Sequence, residues 1–320
     1  MSQQGFFNRS PVIMRSKLML EVAAELVGAA GWEERQVQID FREQGAPEWR
    51  LSFFASDAPN SIDAIMNDEA EFAICNPGSV LGMAVKGAGP YTQPLPLSSI
   101  TVFPQFDAWG IAVTEATGLK SIHEIRDKKA PLRISVRGQA DHSVHMVTDE
   151  ILKAYVFSLK DVESWGGQVR YDPGLPSAPG RISDVGEGKL DCVIDEAFRN
   201  YATLALDLGM RFLPIGEPEM QKLEASGLLR TVVTKDDVPK LPGDYLTVDF
   251  SGWPVFCKTD LDDGIVIAFC AALEQRRANI PWYGDGPMDL DLMVSDTRDA
   301  PLAIPLHPAA ERFWKEKGYI

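Results

Sequence analysis

A chain of 320 residues, 45% hydrophobic and 24% charged, has the composition of a globular protein long enough to bury two cores. Its formal charge of −15 argues against a nucleic-acid partner and against docking on anionic lipid, since both select cationic surface. The longest apolar run, residues 265–273, is far shorter than the roughly 20 residues that span a bilayer, so no direct membrane insertion is expected.

Ser10 before Pro11 is a helix-start signal, and the helical pattern behind it runs to about residue 31 with Leu18, Val22, Leu26 and Val27 on one face. Residues 36–42 alternate apolar and polar and predict a strand. A second helix begins near Pro59 and Asn60, with Ile62, Ile65 and Met66 inward. Residues 71–75 form a short apolar strand that Asn76, Pro77 and Gly78 break into a turn. Strands follow at 99–103, 109–113 and 132–136, the last ended by Arg137 and Gly138 and followed by a helix over 143–155. A buried strand at 190–194, a helix at 196–208, a strand at 211–215 and a helix at 218–226 continue the alternation. A strong helix at 262–277 precedes a tail rich in proline and aspartate, which ends in a short helix from Pro308. Strands alternating with helices predict the α/β class, with parallel sheet covered on its faces. The expected division is one lobe from residues 1–113 and 253–320 and a second from 114–252, with crossovers at 114–119 and 251–254.

Three places repeat one design, a short strand, a turn of small or polar residues and a helix start: residues 54–61, 74–79 and 136–143. Helix N-termini carry unpaired N–H groups that attract carboxylates, and ligands of open α/β sheets sit beyond the carboxyl ends of the strands. Ser10, Ser56, Asn60, Ser61, Asn76, Ser79 and Ser143 are therefore candidate ligand contacts, with helix capping as the competing role. Arg137, directly after a strand, can grip a carboxylate through two parallel hydrogen bonds or pair with Asp141. Phe106, Asp107 and Trp109 before the first crossover and Trp253 at the second are candidates to wall a cleft, or to pack the core. Asp195 and Glu196 end a buried strand, where they suit a ligand amine or a pair with Arg199. Asp141, His145 and Asp149 fall at helical spacing on one face, beside His142. This cluster supports an alternative in which Asp141, His142 and His145 are catalytic or ligate a metal, and it also reads as capping. No nucleophile motif, P-loop, dinucleotide fingerprint or HExxH occurs, and no cofactor is expected. Cys75, Cys192, Cys257 and Cys270 read as small buried hydrophobes.

Four segments carry a family resemblance. They are ASDAPNSIDAIMNDEAEFAICNPGSV at 55–80, LRISVRGQADHSVH at 132–145, GWPVFCKTDLDDGIVIAFCAAL at 252–273 and, most specifically, PLHPAAERFWKEKGY at 305–319. Together they resemble the solute-binding subunits of the TAXI class of TRAP transporters, over about residues 10–319. The resemblance implies a two-lobed type II periplasmic-binding-protein-like fold with the ligand cleft between the lobes. It implies capture of a small organic acid or amino acid by hinge closure, for a TRAP membrane permease, with an aromatic near residues 106–109 against the ligand. The chain departs from the family pattern in its opening turn, which carries Pro11 and Met14, and at 56–61, where the usual glycines are absent. Asn8, Arg9, Arg15, Ser16 and Lys17 interrupt any leader-like apolar run, so the expected location is the periplasm if a leader has been removed and the cytoplasm otherwise. A cytoplasmic location opens two further readings of the same fold: a decarboxylase or other lyase acting on an aromatic or other organic acid, or a ligand sensor.

Overall fold

The computed structural model describes residues 58–280 and 287–320, and before them residues 15, 18–23, 25–26, 36–41 and 48–54. Of the first expected helix, residues 18–23 are described and helical; Ser10 and Ser56 lie outside the described residues.

Strands β1 (Gln36–Phe41) and β2 (Trp49–Phe54) pair antiparallel, from Gln36 with Phe54 to Phe41 with Trp49. Helix α1 (Ala58–Met66) buries Ile62 and Ile65. Strand β3 (Ala73–Ile74), the turn at Asn76 and Pro77, helix α2 (Gly78–Lys86) and strand β4 (Leu97–Phe103) follow. The chain then enters β5 (Gly110–Thr114), α3 (Ile122–Asp127), β6 (Arg133–Arg137), α4 (Ser143–Ala154), α5 (Leu159–Ser164) and β7 (Gln168–Asp172). It continues through α6 (Ile182–Gly186), β8 (Cys192–Asp195), α7 (Phe198–Asp207), β9 (Met210–Phe212) and α8 (Glu217–Ser226). An antiparallel pair, β10 (Arg230–Val233) and β11 (Tyr245–Val248), leads to β12 (Trp253–Lys258), α9 (Asp263–Arg276) and the C-terminal α10 (Pro308–Lys317).

Two sheets organise two α/β lobes. The smaller runs β3-β12-β4 and the larger β7-β6-β8-β5-β9. The expected parallel sheet is found in part: β6 is parallel to β7 and β8, whereas β5 is antiparallel to β8 and β9, and β12 to β3 and β4. The physical reason is the route of the chain. β5 and β12 arrive from the other lobe rather than over a covering helix, and only the βαβ connection enforces parallel pairing.

The chain leaves the smaller sheet at Phe103 and enters the larger at Gly110, then returns between Val248 and Trp253. Residues 114–119, an expected crossover, instead follow β5 as a 3-10 turn, Glu115–Thr117. The two crossing segments lie side by side as a ribbon. Trp109 N donates to Val248 O at 3.0 Å, Phe250 N to Asp107 O at 3.0 Å and Gly252 N to Gln105 O at 2.8 Å.

A shared core joins the lobes. Val80, Leu81 and Met83 of α2 pack with Val144, Val147 and Ile151 of α4 and with Met220 and Leu223 of α8. The backbones meet at Gly82 and Gly227, where a Cβ on Gly82 would stand 2.3 Å from Gly227 O. Lys86 then caps the end of α8 by donating from Nζ to Glu224 O at 2.9 Å. A second core, around Phe198, Tyr201, Phe212 and Tyr245, sits in the larger lobe, and a third, around Phe72, Ile100, Val266 and Trp314, in the smaller. All four cysteines are free and buried in these cores.

Candidate functional site

A cavity of about 800 Å³ opens between the lobes. The smaller lobe lines it with Asn76, Pro104, Trp253, Leu292, Thr297, Arg298 and Asp299, and the larger with His142, Leu175, Glu196, Ala197, Arg199 and Asn200. Gln105, Phe106, Asp107 and Phe250 of the crossing ribbon line it as well. Five residues weighed from the sequence as ligand contacts are among these: Asn76, Phe106, Asp107, Glu196 and Trp253.

The walls are held by hydrogen bonds that follow from local sequence. Asn76, at the strand-end turn, donates from Nδ2 to Phe250 O and Gly252 O, each at 2.9 Å, and so ties the turn to the ribbon. Trp253 Nε1 donates to Gln105 Oε1 at 2.9 Å, which fixes its indole at the cavity edge. The Arg298 guanidinium lies 3.7 Å from the centre of the Phe106 ring and is held there by two bonds to Asp237. Those bonds hold the Asp237 carboxyl down to about 2.

Asp107 occupies the entry to α7. Its Oδ1 accepts from Ala108 N and Phe198 N, both at 2.8 Å. Its Oδ2 takes no protein hydrogen bond among the described residues. Burial, and then the charge of Glu196, push this carboxyl well above the usual range. Glu196 behaves in the opposite way: burial works upward, but the His142 hydrogen bond and the Arg137 charge hold it down to about 2. In the ribbon, burial pushes Asp249 up to about 7, although its Oδ2 accepts from Ser251 N at 3.0 Å.

Other sequence candidates lie behind the wall. Arg137 is buried and does not line the cavity. Its Nη2 donates to Asp195 Oδ1 at 2.5 Å and to Glu196, and its Nε to Asp195 Oδ2 at 3.2 Å. Asp195 also accepts from Arg181 Nη1 at 2.6 Å, so neither the expected pair of Arg137 with Asp141 nor that of Asp195 and Glu196 with Arg199 forms. Ser143 Oγ donates to Asn76 O at 2.6 Å, a tie between the two lobes, and Ser79 Oγ to Asp249 O at 3.3 Å, a tie between lobe and ribbon. Trp109 is buried, with Nε1 donating to Thr148 Oγ1 at 2.9 Å. Ser61 is buried in α1 and Asn60 is exposed, both away from the cavity.

The histidine cluster divides. His142 caps α4, with Nδ1 accepting from Val144 N at 3.1 Å, so its proton sits on Nε2, 3.4 Å from Glu196 Oε1. An Nε2 already protonated and facing a carboxylate offers no acceptor to a substrate proton. His145 Nε2 donates to Gln139 O at 2.9 Å. Helix α4 starts at Ser143, so Asp141 precedes it and does not share a helical face with His145 and Asp149.

Sequence reasoning missed Gln105, Leu175, Asn200, Phe250, Leu292 and Arg298 as wall residues, and weighed Arg199 only as an ion-pair partner. Phe250 could have been found from its place just before the expected second crossover. Arg298 lies in the tail, where no periodic pattern marks it.

The NMT1-like family matches residues 50–318 of the chain. Among curated proteins no sequence matches it. Solved structures similar to it include the alkanesulfonate-binding protein SsuA from Xanthomonas axonopodis pv. citri bound to MOPS, at 15% identity, over 80% of this chain and 70% of that one, with a TM-score of 0.29. The glycine betaine and L-proline transporter binding protein ProX from Borrelia burgdorferi aligns at 13% identity over 68% of this chain and 67% of that one, with a TM-score of 0.37. A Xanthomonas citri protein bound to chloride ion aligns at 11% identity over 82% and 80%, with a TM-score of 0.40. Two α/β lobes joined by two crossing segments are the architecture of periplasmic binding proteins. Among the described residues no helix is long and apolar enough to cross a membrane.

Proposed function

The chain belongs to the NMT1-like family, and we propose that it is a solute-binding protein that captures a small organic acid or amino acid between its lobes. The observation that carries this reading is the cavity of about 800 Å³, to which both lobes and both crossing segments contribute walls. A volume of that size suits a small molecule, and a site divided between two bodies couples binding to their approach. Among the described residues, the smaller lobe runs from Ala58 to Phe103 together with the return from Trp253, and the segment from Gly110 to Val248 forms the larger. Asn76, Phe106, Asp107 and Trp253 touch the solute. Arg137, Asp195 and Ser143 stiffen the wall behind them.

The four segments that resemble TAXI binding subunits support a finer reading, delivery to a TRAP-type permease from the periplasm. Calorimetry of the dialysed full chain with a panel of organic acids and amino acids tests the core of the proposal. The expected result is one-to-one binding by at least one solute, weakened about tenfold or more by Trp253→Ala. Absence of heat with every solute, from protein shown by native mass spectrometry to be empty, would sink it.

A further inference from the structure

The charges withdrawn from water at the cavity wall are balanced except at one residue. Behind the wall, Arg137 pairs with Asp195 and Glu196, and Arg181 pairs with Asp195, two guanidiniums against two carboxylates. Asp107 lines the cavity and makes no ion pair among the described residues. Burial, and then the charge of Glu196, push its carboxyl up, as befits an acid without a counter-charge. Arg199, Arg298 and Asp299 also line the cavity, but at exposed positions where water screens their charge, so they weigh on neither side.

Two acceptor atoms at this place have no protein donor. Asp107 Oδ1 takes the N–H groups of Ala108 and Phe198, which leaves Oδ2. Asn76 spends both Nδ2 hydrogens on Phe250 O and Gly252 O, which fixes the orientation of its amide and leaves Oδ1. Among the described residues, the side-chain polar atoms that are both sealed from solvent and without a partner belong to Tyr91, Arg181, Tyr201 and His307. Neither acceptor is one of these, so both reach open space, and the open space that their residues line is the cavity. The two residues are neighbours through the ribbon, since Asn76 bonds to the C=O of Phe250 and Asp107 to its N–H.

An anionic group finds the usual seats at this wall taken. Carboxylates settle at helix N-termini or on guanidiniums. The start of α7 gives the Ala197 N–H to Glu196 and the Phe198 N–H to Asp107, and the start of α4 gives the Val144 N–H to His142. Both buried guanidiniums are committed to carboxylates.

Resting on the reading of the cavity as a solute site, we infer that its solute carries a protonated amine, seated between the Asp107 carboxylate and the Asn76 side-chain oxygen. The ammonium N–H groups meet both acceptors and supply the cation that this wall lacks. Any proton that burial holds on Asp107 leaves to water as the ammonium takes its place.

The test titrates two matched sets by calorimetry on the dialysed full chain: L-glutamate, 4-aminobutyrate and glutarate, and L-phenylalanine, 2-phenylethylamine and 3-phenylpropionate. In each set the second member lacks only the α-carboxylate and the third only the amine. The amino acid is expected to bind about tenfold or more tightly than its amine-free counterpart. Binding of the carboxylate-free amine as well marks the solute class as amines, and its loss marks it as amino acids; both results uphold the inference. Asp107→Asn keeps the Oδ1 acceptor and puts an N–H donor where Oδ2 stood. It is expected to weaken the amine-bearing members by about tenfold or more and to leave the amine-free acid within about threefold. Circular dichroism checks the fold of the variant, and the comparison within each set needs only the wild-type chain. An amine-free acid that binds as tightly as its amino counterpart, or amine binding indifferent to Asp107→Asn, overturns the inference. One-to-one binding confined to an amine-free solute of the wider panel overturns it while leaving the solute-binding reading intact. Failure of every solute overturns both.

Discussion

Asp195 accepts from two guanidiniums, Arg137 and Arg181, and all three groups are withdrawn from water. Burying such charges costs several kcal/mol per ion and is offset only where the hydrogen bonding is nearly complete. Committed in this way, the three cannot be released to a passing solute, and they act as a brace behind Glu196 and Ala197 at the cavity wall. Asp249 shows what burial does to an acid that finds less compensation. Its ordinary value of 3.8 rises to about 7 inside the crossing ribbon. Between about pH 4 and pH 7 the folded chain therefore keeps a proton that the unfolded chain has released. Stability from this group is full below that window and is lost as the pH rises through it. Asp249→Asn preserves an acceptor for Ser251 N–H and cannot ionise. In urea unfolding it is expected to exceed the wild type at pH 8 by a few kcal/mol, roughly, with the difference closing toward pH 4. A difference that ignores pH would place the effect in some other group.

At the scale of elements, the contact of α2 with the end of α8 is the tightest joint between the lobes. Gly82 and Gly227 bring two backbones together where a Cβ at either position would meet the other backbone at 2.3–2.4 Å. Backbone atoms give way poorly, so the lobes must part or the helix must shift. Gly82→Ala is expected to cost about 1–3 kcal/mol in a denaturant titration, as overpacked sites do. Gly243, where an added Cβ meets nothing within 4 Å, supplies the matched control. Its alanine variant is expected to stay within about 0.5 kcal/mol of the wild type. Equal effects at the two positions would mean that the close approach does not set the cost. The shared core around this joint packs residues of both lobes together.

For the whole molecule, closure is the property on which the proposed function depends. In the proposed function the ribbon of residues 105–109 and 249–252 is the pivot, and Gln105, Phe106, Asp107 and Phe250 of it line the cavity. On that proposal, a bound solute touching the ribbon stabilises its backbone bonds by mass action on the closed state. Hydrogen exchange is expected to slow at Trp109, Phe250 and Gly252, whose N–H groups bridge the two segments, when a saturating solute is present. Protection that rises only at the lobe surfaces, with the ribbon unchanged, would refute closure about this pivot.

The amino-acid pattern by itself determined the succession of elements wherever apolar spacing was strong. Helix α4 was expected at 143–155 and spans Ser143–Ala154; α9 was expected at 262–277 and spans Asp263–Arg276. It also marked the strand-end turn at Asn76 and the aromatic residues flanking the crossings, because turn chemistry and burial patterns are local properties. Short or weakly patterned elements, such as β7 with its Gln168–Asp172 sequence and the β10–β11 pair, carried too little periodicity to be read. Tertiary structure alone decided strand direction in the mixed sheets, because direction depends on which lobe the chain comes from. It alone decided the charge pairing too. Arg137 meets Asp195 across 58 residues of sequence rather than Asp141 nearby, since the parallel neighbours β6 and β8 end side by side. Arg298 reaches Phe106 and Asp237 from the C-terminal tail in the same way, through proximity that only the folded chain creates.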